Sequence, residues 1–172
     1  GRKILSISNS ALQQSLEDQL IVFKERAALQ NAVIHHVKPH GALYNLIAVN
    51  REKAVVVIAA IQHVFKEVKL YVPYGSIIEE EAHKNDIEIV YEAFADRVYN
   101  SDLTLVSRML SSAVITDKIE VLAQVQKIAK KSLVNTAQFL DKEIKAHTFC
   151  VHGDTRNVIE ILEYLHQHLE IL

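Results

Sequence analysis

Val68-Lys69-Leu70-Tyr71-Val72-Pro73-Tyr74-Gly75, followed by Ile77–Lys84 and Ile87–Tyr91, is the stretch that sets the fold class. Val68–Val72 is short and rich in β-branched and aromatic residues, the composition of a strand. Pro73-Tyr74-Gly75 closes it, since proline has no amide for a ladder and glycine frees the turn. Ile77–Lys84 reads as a short helix and Ile87–Tyr91 as a further strand. Strand, turn, helix and strand in quick succession argue for a parallel sheet with helices outside it.

The same alternation continues outward. Toward the N-terminus, Asn50 caps a helix expected to run to about Phe65, carrying the apolar run 54–60. Ala32–Val37 is short, β-branched and strand-like. Before it, Ser10 with Gln13 forms a capping-box signature, and Leu12, Leu16, Leu20 and Phe23 make an apolar stripe for a helix to about Gln30. Toward the C-terminus, Glu92 to about Thr116 is irregular. Asp117 caps a helix to about Lys131 with Val121, Leu122, Val125 and Ile128 on one side. Residues 132–146 read as a short hairpin or an extra turn. Thr148–Val151 is the fourth strand, and Thr155 starts a last helix with Val158, Ile161, Leu162 and Leu165 inward. The expectation is one α/β domain over 1–172 with about four parallel strands and outer helices. Right-handed crossovers allow an open sheet or part of a barrel, and pattern does not choose between them.

A chain of 172 residues fits one domain, and a domain of this size buries roughly two-thirds of its unfolded surface. Apolar residues make up 49% and charged residues 23%, an ordinary globular balance. The net charge of −2 without a basic stripe argues against a nucleic-acid partner. No apolar run approaches the ~20 residues that span a bilayer, so no membrane partner is expected. Gly1–Ser6 has a basic pair but neither the apolar core nor the cleavage site of a signal peptide. The single cysteine, Cys150, precludes an internal disulfide and suits a reducing compartment. A cytoplasmic location is the expectation.

Polar clusters that packing does not demand sit just after the strands: Lys38-Pro39-His40-Gly41, Tyr74-Gly75, Glu92 to Arg97, and His152-Gly153-Asp154. In parallel sheets and barrels the carboxyl ends of strands are where sites assemble. Strand parity adds detail. If Val33, Val37, Phe149 and Val151 pack against helices, then Lys38, Cys150 and His152 face the other way, with Glu92 on the parity of Glu88 and Val90. Such groups, buried unpaired, would cost several kcal/mol, so a mutually paired polar site is expected.

Val37-Lys38-Pro39-His40-Gly41-Ala42-Leu43-Tyr44-Asn45, Phe94-Ala95-Asp96-Arg97 with Tyr99, and Cys150-Val151-His152-Gly153-Asp154-Thr155 resemble the signature segments of the LamB/YcsF family. The nine-residue run is highly specific and the resemblance spans essentially all of the chain, Gly1-Arg2 included. It implies a seven-stranded β/α barrel similar to the glycoside hydrolase/deacetylase fold. Four strands are read here, so the family's opening segments are expected to be missing, three units of about 30 residues, or roughly 80–90 residues. This chain would then be the C-terminal part of the barrel. It departs from the family pattern at Leu103, where glycine is usual, and at Leu110-Ser111-Ser112, where a Pro-Gly pair is usual.

The resemblance further implies a subunit of an ATP-dependent 5-oxoprolinase, hydrolysing the lactam 5-oxo-L-proline to L-glutamate with ADP and phosphate, alongside two other 5-oxoprolinase subunits. An unstrained lactam resists water. Phosphorylation of its oxygen makes the ring carbon electrophilic, and a site then needs cations, a group to activate water and an acid for the ring nitrogen. On that basis Lys38 stabilises charge, His40 and His152 are acid/base groups, and Asp96 and Asp154 orient imidazoles or bind a cation. Arg97 holds a carboxylate or phosphate in bidentate fashion. Tyr44, Glu92 and Tyr99 line the substrate, the tyrosines as walls. The sequence has no Walker A pattern, its only glycines being Gly1, Gly41, Gly75 and Gly153. ATP is thus expected as a co-substrate held partly or wholly on partner subunits. A metal requirement and a homo-oligomer are both left open.

Plainer alternatives stand beside these roles. Lys38 could be a surface lysine and His40 a turn residue. His152 and Asp154 could cap the final helix, and Asp96 and Arg97 could form an internal ion pair. Cys150 fits a small apolar residue better than a nucleophile. Two other functions compete. One is a metal-dependent, deacetylase-like hydrolase using His40, His152 and Asp154 as donors, though no short-spaced ligand pair is present. The other is a non-catalytic assembly module.

Overall fold

The structure, a computed structural model, describes residues 3–169. Gly1 and Arg2, on which part of the family resemblance falls, lie outside them. The chain forms two compact units, Gly1–Val90 and Tyr91–Leu172.

In the first unit, α1 (Asn9–Leu29) leads to a two-residue strand β1 (His36–Val37), then α2 (Ala42–Val49), α3 (Arg51–Val64), β2 (Lys69–Val72) and α4 (Ile77–Lys84). β1 and β2 pair in parallel, His36 opposite Lys69 and Val37 opposite Leu70. Asn50 caps α3 as expected, its side chain accepting from the Lys53 amide at 2.9 Å. Ile58, Ile61, Leu70, Val72, Ile78 and Ala82 lie in the apolar interior. Gly41 precedes α2 at φ 64° and ψ −133°, a conformation that only glycine adopts without strain.

Three expectations are corrected here. The cap of α1 is Ser8, whose hydroxyl accepts from the Ala11 amide at 3.2 Å. Ser10 already lies inside the helix, and Gln13 reaches Glu17 instead, at 2.8 Å. Phe23 is 63% exposed, so the α1 stripe does not bury as a whole. Polar contacts join α1 to α3: buried Glu17 meets His63 Nδ1 at 3.1 Å, and Lys24 donates to the Val64 carbonyl at 2.7 Å. Val33 is 94% exposed rather than packed on a helix, because regular pairing begins only at His36.

β3 (Ile89–Phe94) carries the chain into the second unit, where a 3₁₀ turn (Ser111–Ala113), α5 (Lys118–Lys131), β4 (Leu133–Asn135), β5 (Asp141–Glu143), β6 (Thr148–Cys150) and α6 (Val158–His168) follow. β4 and β5 form an antiparallel hairpin, one of the two readings open for residues 132–146. β6 runs parallel to β3, pairing Glu92 with Thr148, Ala93 with Phe149 and Phe94 with Cys150. The strand order β1-β2-β3-β6 is that of an α/β sheet. Asp117 caps α5 through the amides of Ile119 and Glu120. Val121, Leu122 and Val125 pack with Ala95, Ile161 and Leu165, and Phe149 and Val151 join them as parity requires. Thr155 does not start the last helix: α6 begins at Val158 behind Asn157, so neither His152 nor Asp154 is its cap. Leu162, expected inward, is 46% exposed. Among the described residues no helix is long and apolar enough to cross a membrane.

Loop 98–113 contains the Leu103 departure. Tyr99 bridges Leu105 in antiparallel fashion, and between them Asn100 N–H donates to the Thr104 carbonyl at 2.8 Å and Leu103 N–H to the Asn100 carbonyl at 2.9 Å. Leu103 sits at φ 64°. This is the left-handed position of a short hairpin loop, where glycine costs least.

Candidate functional site

The register of β3 against β6 builds the centre of the second unit. Phe94 faces Cys150. Two residues on, at the same parity, Asp96 and His152 must again come side by side. They do. The Asp96 carboxylate, 0% exposed, accepts from the His152 amide at 2.9 Å through Oδ2 and meets His152 Nδ1 at 2.8 Å through Oδ1. The buried Thr155 hydroxyl donates to Oδ2 at 2.5 Å. The Phe94 ring stacks on the imidazole, with centroids 5.0 Å apart and planes 13° from parallel.

Burial pushes the Asp96 carboxyl up, but bonds from the His152 ring, the Thr155 hydroxyl and the His152 amide outweigh it, and the carboxyl sits below its ordinary range. Asp96 is therefore ionised near neutrality and only accepts. The proton between the two residues belongs to Nδ1 of His152. A neutral His152 then presents its Nε2 lone pair away from Asp96, the arrangement of an oriented acid/base imidazole.

The segment after β3 is held rigidly. The Gln124 side-chain amide, on α5, lies 2.9, 3.1 and 3.0 Å from the carbonyls of Phe94, Ala95 and Arg97. Arg97 is 4% exposed, donating from Nε to Ala113 O at 3.1 Å and from Nη2 to Val106 O at 2.6 Å. Those bonds fix loop 98–113. Asp96 and Arg97 direct their hydrogen bonds to different partners rather than to one another. The buried Tyr99 hydroxyl accepts from the Phe94 amide at 2.7 Å, and burial holds its phenol above the ordinary value. Glu92 is 4% exposed on β3, opposite Thr148. Asp154 lies on the turn after β6, half-exposed, with both carboxylate oxygens 3.2 Å from Arg108 Nη1.

In the first unit, Lys38 follows β1 and is half-buried, its ammonium 5.8 Å from the centroid of the Tyr44 ring. Tyr44 is 4% exposed on α2. His40 is exposed. Among the described residues, no three or more His, Cys, Asp or Glu side chains are grouped to hold a metal ion.

The structure adds Thr155, Gln124 and Arg108 to the residues that sequence reasoning singled out. Thr155 stands in the Cys150–Thr155 segment, but the sequence alone makes it the first residue of the last helix. Gln124 is a polar residue among the apolar positions Val121 and Val125, the one signal that could have found it. Arg108 shows its role only through Asp154.

Known proteins resemble the chain over nearly its whole length. The 5-oxoprolinase A subunit of Acinetobacter baumannii (strain AB307-0294) is 37% identical over 161 residues, covering 94% of this chain and 63% of that protein. The 5-oxoprolinase A subunit of Bacillus cereus (strain ATCC 10987 / NRS 248) is 33% identical over 172 residues, covering 99% of this chain and 68% of its own length. The crystal structure of the lactam utilization protein from Thermus thermophilus superposes with a TM-score of 0.86 at 28% identity, over 97% of this chain and 68% of that one. The chain thus spans about two-thirds or less of the proteins it matches. The LamB/YcsF family model matches residues 1–171, and the chain belongs to the LamB/YcsF family.

Proposed function

We propose that the chain works in a 5-oxoprolinase, as the subunit that helps open 5-oxo-L-proline to L-glutamate at the expense of ATP. The observation that carries this reading is the buried carboxylate of Asp96 fixing the Nδ1–H tautomer of His152. Lactam opening needs a group that first takes a proton from water and then returns one to the ring nitrogen as the C–N bond breaks. His152 Nε2 suits both steps, since an imidazole held in one orientation loses no time to rotation or tautomer exchange.

Lys38 supplies positive charge for the oxyanion or the transferred phosphoryl group, with Tyr44 as the wall beneath its ammonium. His40, being exposed, is free to act as a second acid/base group. Asp154 serves in the His152 site through its contact with Arg108. Glu92 and Tyr99 line it, and the bonds of Arg97 make it a loop-holding residue beside the substrate. ATP is the co-substrate, bound with the help of two further subunits in the cytoplasm.

The test is 5-oxoproline-dependent ATP hydrolysis and glutamate release, measured with and without the partner subunits. His152→Ala and Lys38→Ala are each expected to lower turnover at least ~10²-fold in the assembled enzyme. Wild-type turnover in both variants would discard the assignment.

A further inference from the structure

We propose that Arg108, together with the bare backbone at Gly153, forms the subsite that receives the carboxylate of the lactam substrate, and that Asp154 fills this subsite while it is empty. The assignment rests on the lactam reading above and deepens it.

A guanidinium is the side chain whose planar donors best match a carboxylate. Arg97 was the expected anion holder, but two of its nitrogens are committed to the carbonyls of Ala113 and Val106 and it is almost fully buried. Arg108 is different. Its side chain keeps 23% exposure, and what it holds is already a carboxylate, both oxygens of Asp154 lying at 3.2 Å from Nη1. Asp154 is itself 48% exposed, so water can take up its carboxylate when another carboxylate arrives.

The turn that carries Asp154 also carries the acid/base group. Thr155 N–H donates to the His152 carbonyl at 3.1 Å, closing a tight turn with Gly153 and Asp154 at its corner. Both ends of that turn are tied to Asp96. Consecutive Cα atoms are 3.8 Å apart, so those of His152 and Asp154 lie within about 7.6 Å. In 5-oxoproline the carboxyl carbon is only three bonds from the lactam carbonyl carbon. An anion seated on Arg108 beside this turn therefore leaves the reacting bond within the neighbourhood of His152.

Gly153 supplies the independent observation. Its φ is not in the left-handed region, and a Cβ built there meets no atom within 4 Å. Neither a left-handed φ nor packing within the chain calls for glycine. Close approach of a ligand to the backbone does.

The test is direct binding. 5-oxo-L-proline, 2-pyrrolidinone (the same ring without a carboxylate) and inorganic phosphate are titrated into the wild-type chain and into Arg108→Gln, Asp154→Asn and Gly153→Ala, by calorimetry or by amide chemical shifts. Arg108→Gln is expected to weaken 5-oxoproline about tenfold or more while leaving 2-pyrrolidinone unchanged. Asp154→Asn should act in the opposite direction and tighten 5-oxoproline severalfold, because it removes the competing carboxylate. Gly153→Ala should keep the wild-type melting temperature or raise it, yet weaken 5-oxoproline. Melting curves check that Arg108→Gln is folded, and Asp154→Asn tests the placeholder without touching Arg108.

Equal 5-oxoproline affinity in wild type and Arg108→Gln, or weaker binding in Asp154→Asn, would overturn the subsite while leaving the lactam function standing. So would an Arg108 dependence confined to phosphate. Loss of 5-oxoproline binding by the wild-type chain itself, with or without its partners, would overturn both.

Discussion

Replacing Asp96 by Asn is the sharpest probe of the site, because the two side chains are nearly the same shape and differ in what they can accept. The carboxylate is wholly buried and receives bonds on both oxygens: the His152 amide and the Thr155 hydroxyl on Oδ2, the His152 ring on Oδ1. An amide offers one oxygen and one NH₂. It keeps most by turning the oxygen toward the side with two donors, which aims the NH₂ at His152 Nδ1. That nitrogen must then accept, and the imidazole changes tautomer, moving its proton to Nε2. Charge-assisted bonds worth ~1.5–3 kcal/mol each become neutral ones worth ~0.5–1.5. Removing a buried charge offsets part of the loss. The net destabilisation is about 1–3 kcal/mol, or a fall of roughly 3–10 °C in Tm for a chain of this size.

Two measurements check this. Thermal melting gives the stability change, and long-range ¹H–¹⁵N correlation of the imidazole shows which nitrogen carries the proton. The expected result is Nδ1–H in wild type and Nε2–H in Asp96→Asn, with 5-oxoproline turnover in the assembled enzyme down at least ~10²-fold. Retention of Nδ1–H in the variant, or an unchanged turnover alongside a switched tautomer, would refute the orienting role of Asp96.

The same carboxylate sets a pH dependence. Its folded value is depressed below the ordinary 3.8, so the unfolded chain binds the extra proton first. Its stabilisation is complete above the ordinary value and is lost as pH falls through the folded one. Melting temperatures taken from pH 6 downward should therefore drop in acid, and Asp96→Asn should flatten that drop; an equal drop in the variant counts against the assignment. At Leu103, φ 64° predicts an inverted preference between two truncations. Glycine should be the more stable of Leu103→Gly and Leu103→Ala by about 1 kcal/mol, whereas at an ordinary loop φ alanine wins by a similar amount. Denaturant midpoints decide, and a more stable alanine variant would mean that this loop does not hold the left-handed turn.

How far the sequence could be read depended on whether the deciding interactions were local. α5 was legible because Asp117 caps it and Val121, Leu122, Val125 and Ile128 repeat at helical spacing, all short-range signals. α4 was legible for the same reason, its limits at Ile77 and Lys84 fixed by residues on either side. α2 was missed: Ala42–Val49 is apolar nearly throughout, has no polar face to give it a period, and begins at Gly41, which caps without a side chain. β1 shrank to His36–Val37 because β-branched residues allow a strand but pairing must supply it, and Val33 finds none. Thr155 was misread as a helix start because an aspartate precedes it and apolar residues follow at helical spacing, while its actual partner lies 59 residues earlier.

The Asp96–His152 pair shows where that limit falls. Parity placed His152 opposite Phe149 and Val151, and that holds. What parity cannot supply is which residue of another strand stands beside it, because sliding β6 along β3 by two positions preserves every inside–outside assignment. A slide of that size would bring His152 opposite Phe94 or Val98 and leave a buried carboxylate at position 96 without its ring donor. The register is thus held by more than apolar packing: only Phe94 opposite Cys150 lets the amide and ring of His152, together with Thr155, reach both oxygens of Asp96. A buried carboxylate left unsatisfied would cost several kcal/mol. The residue pair that the proposed chemistry needs is in this way also the pair that selects one strand register from those the apolar pattern allows.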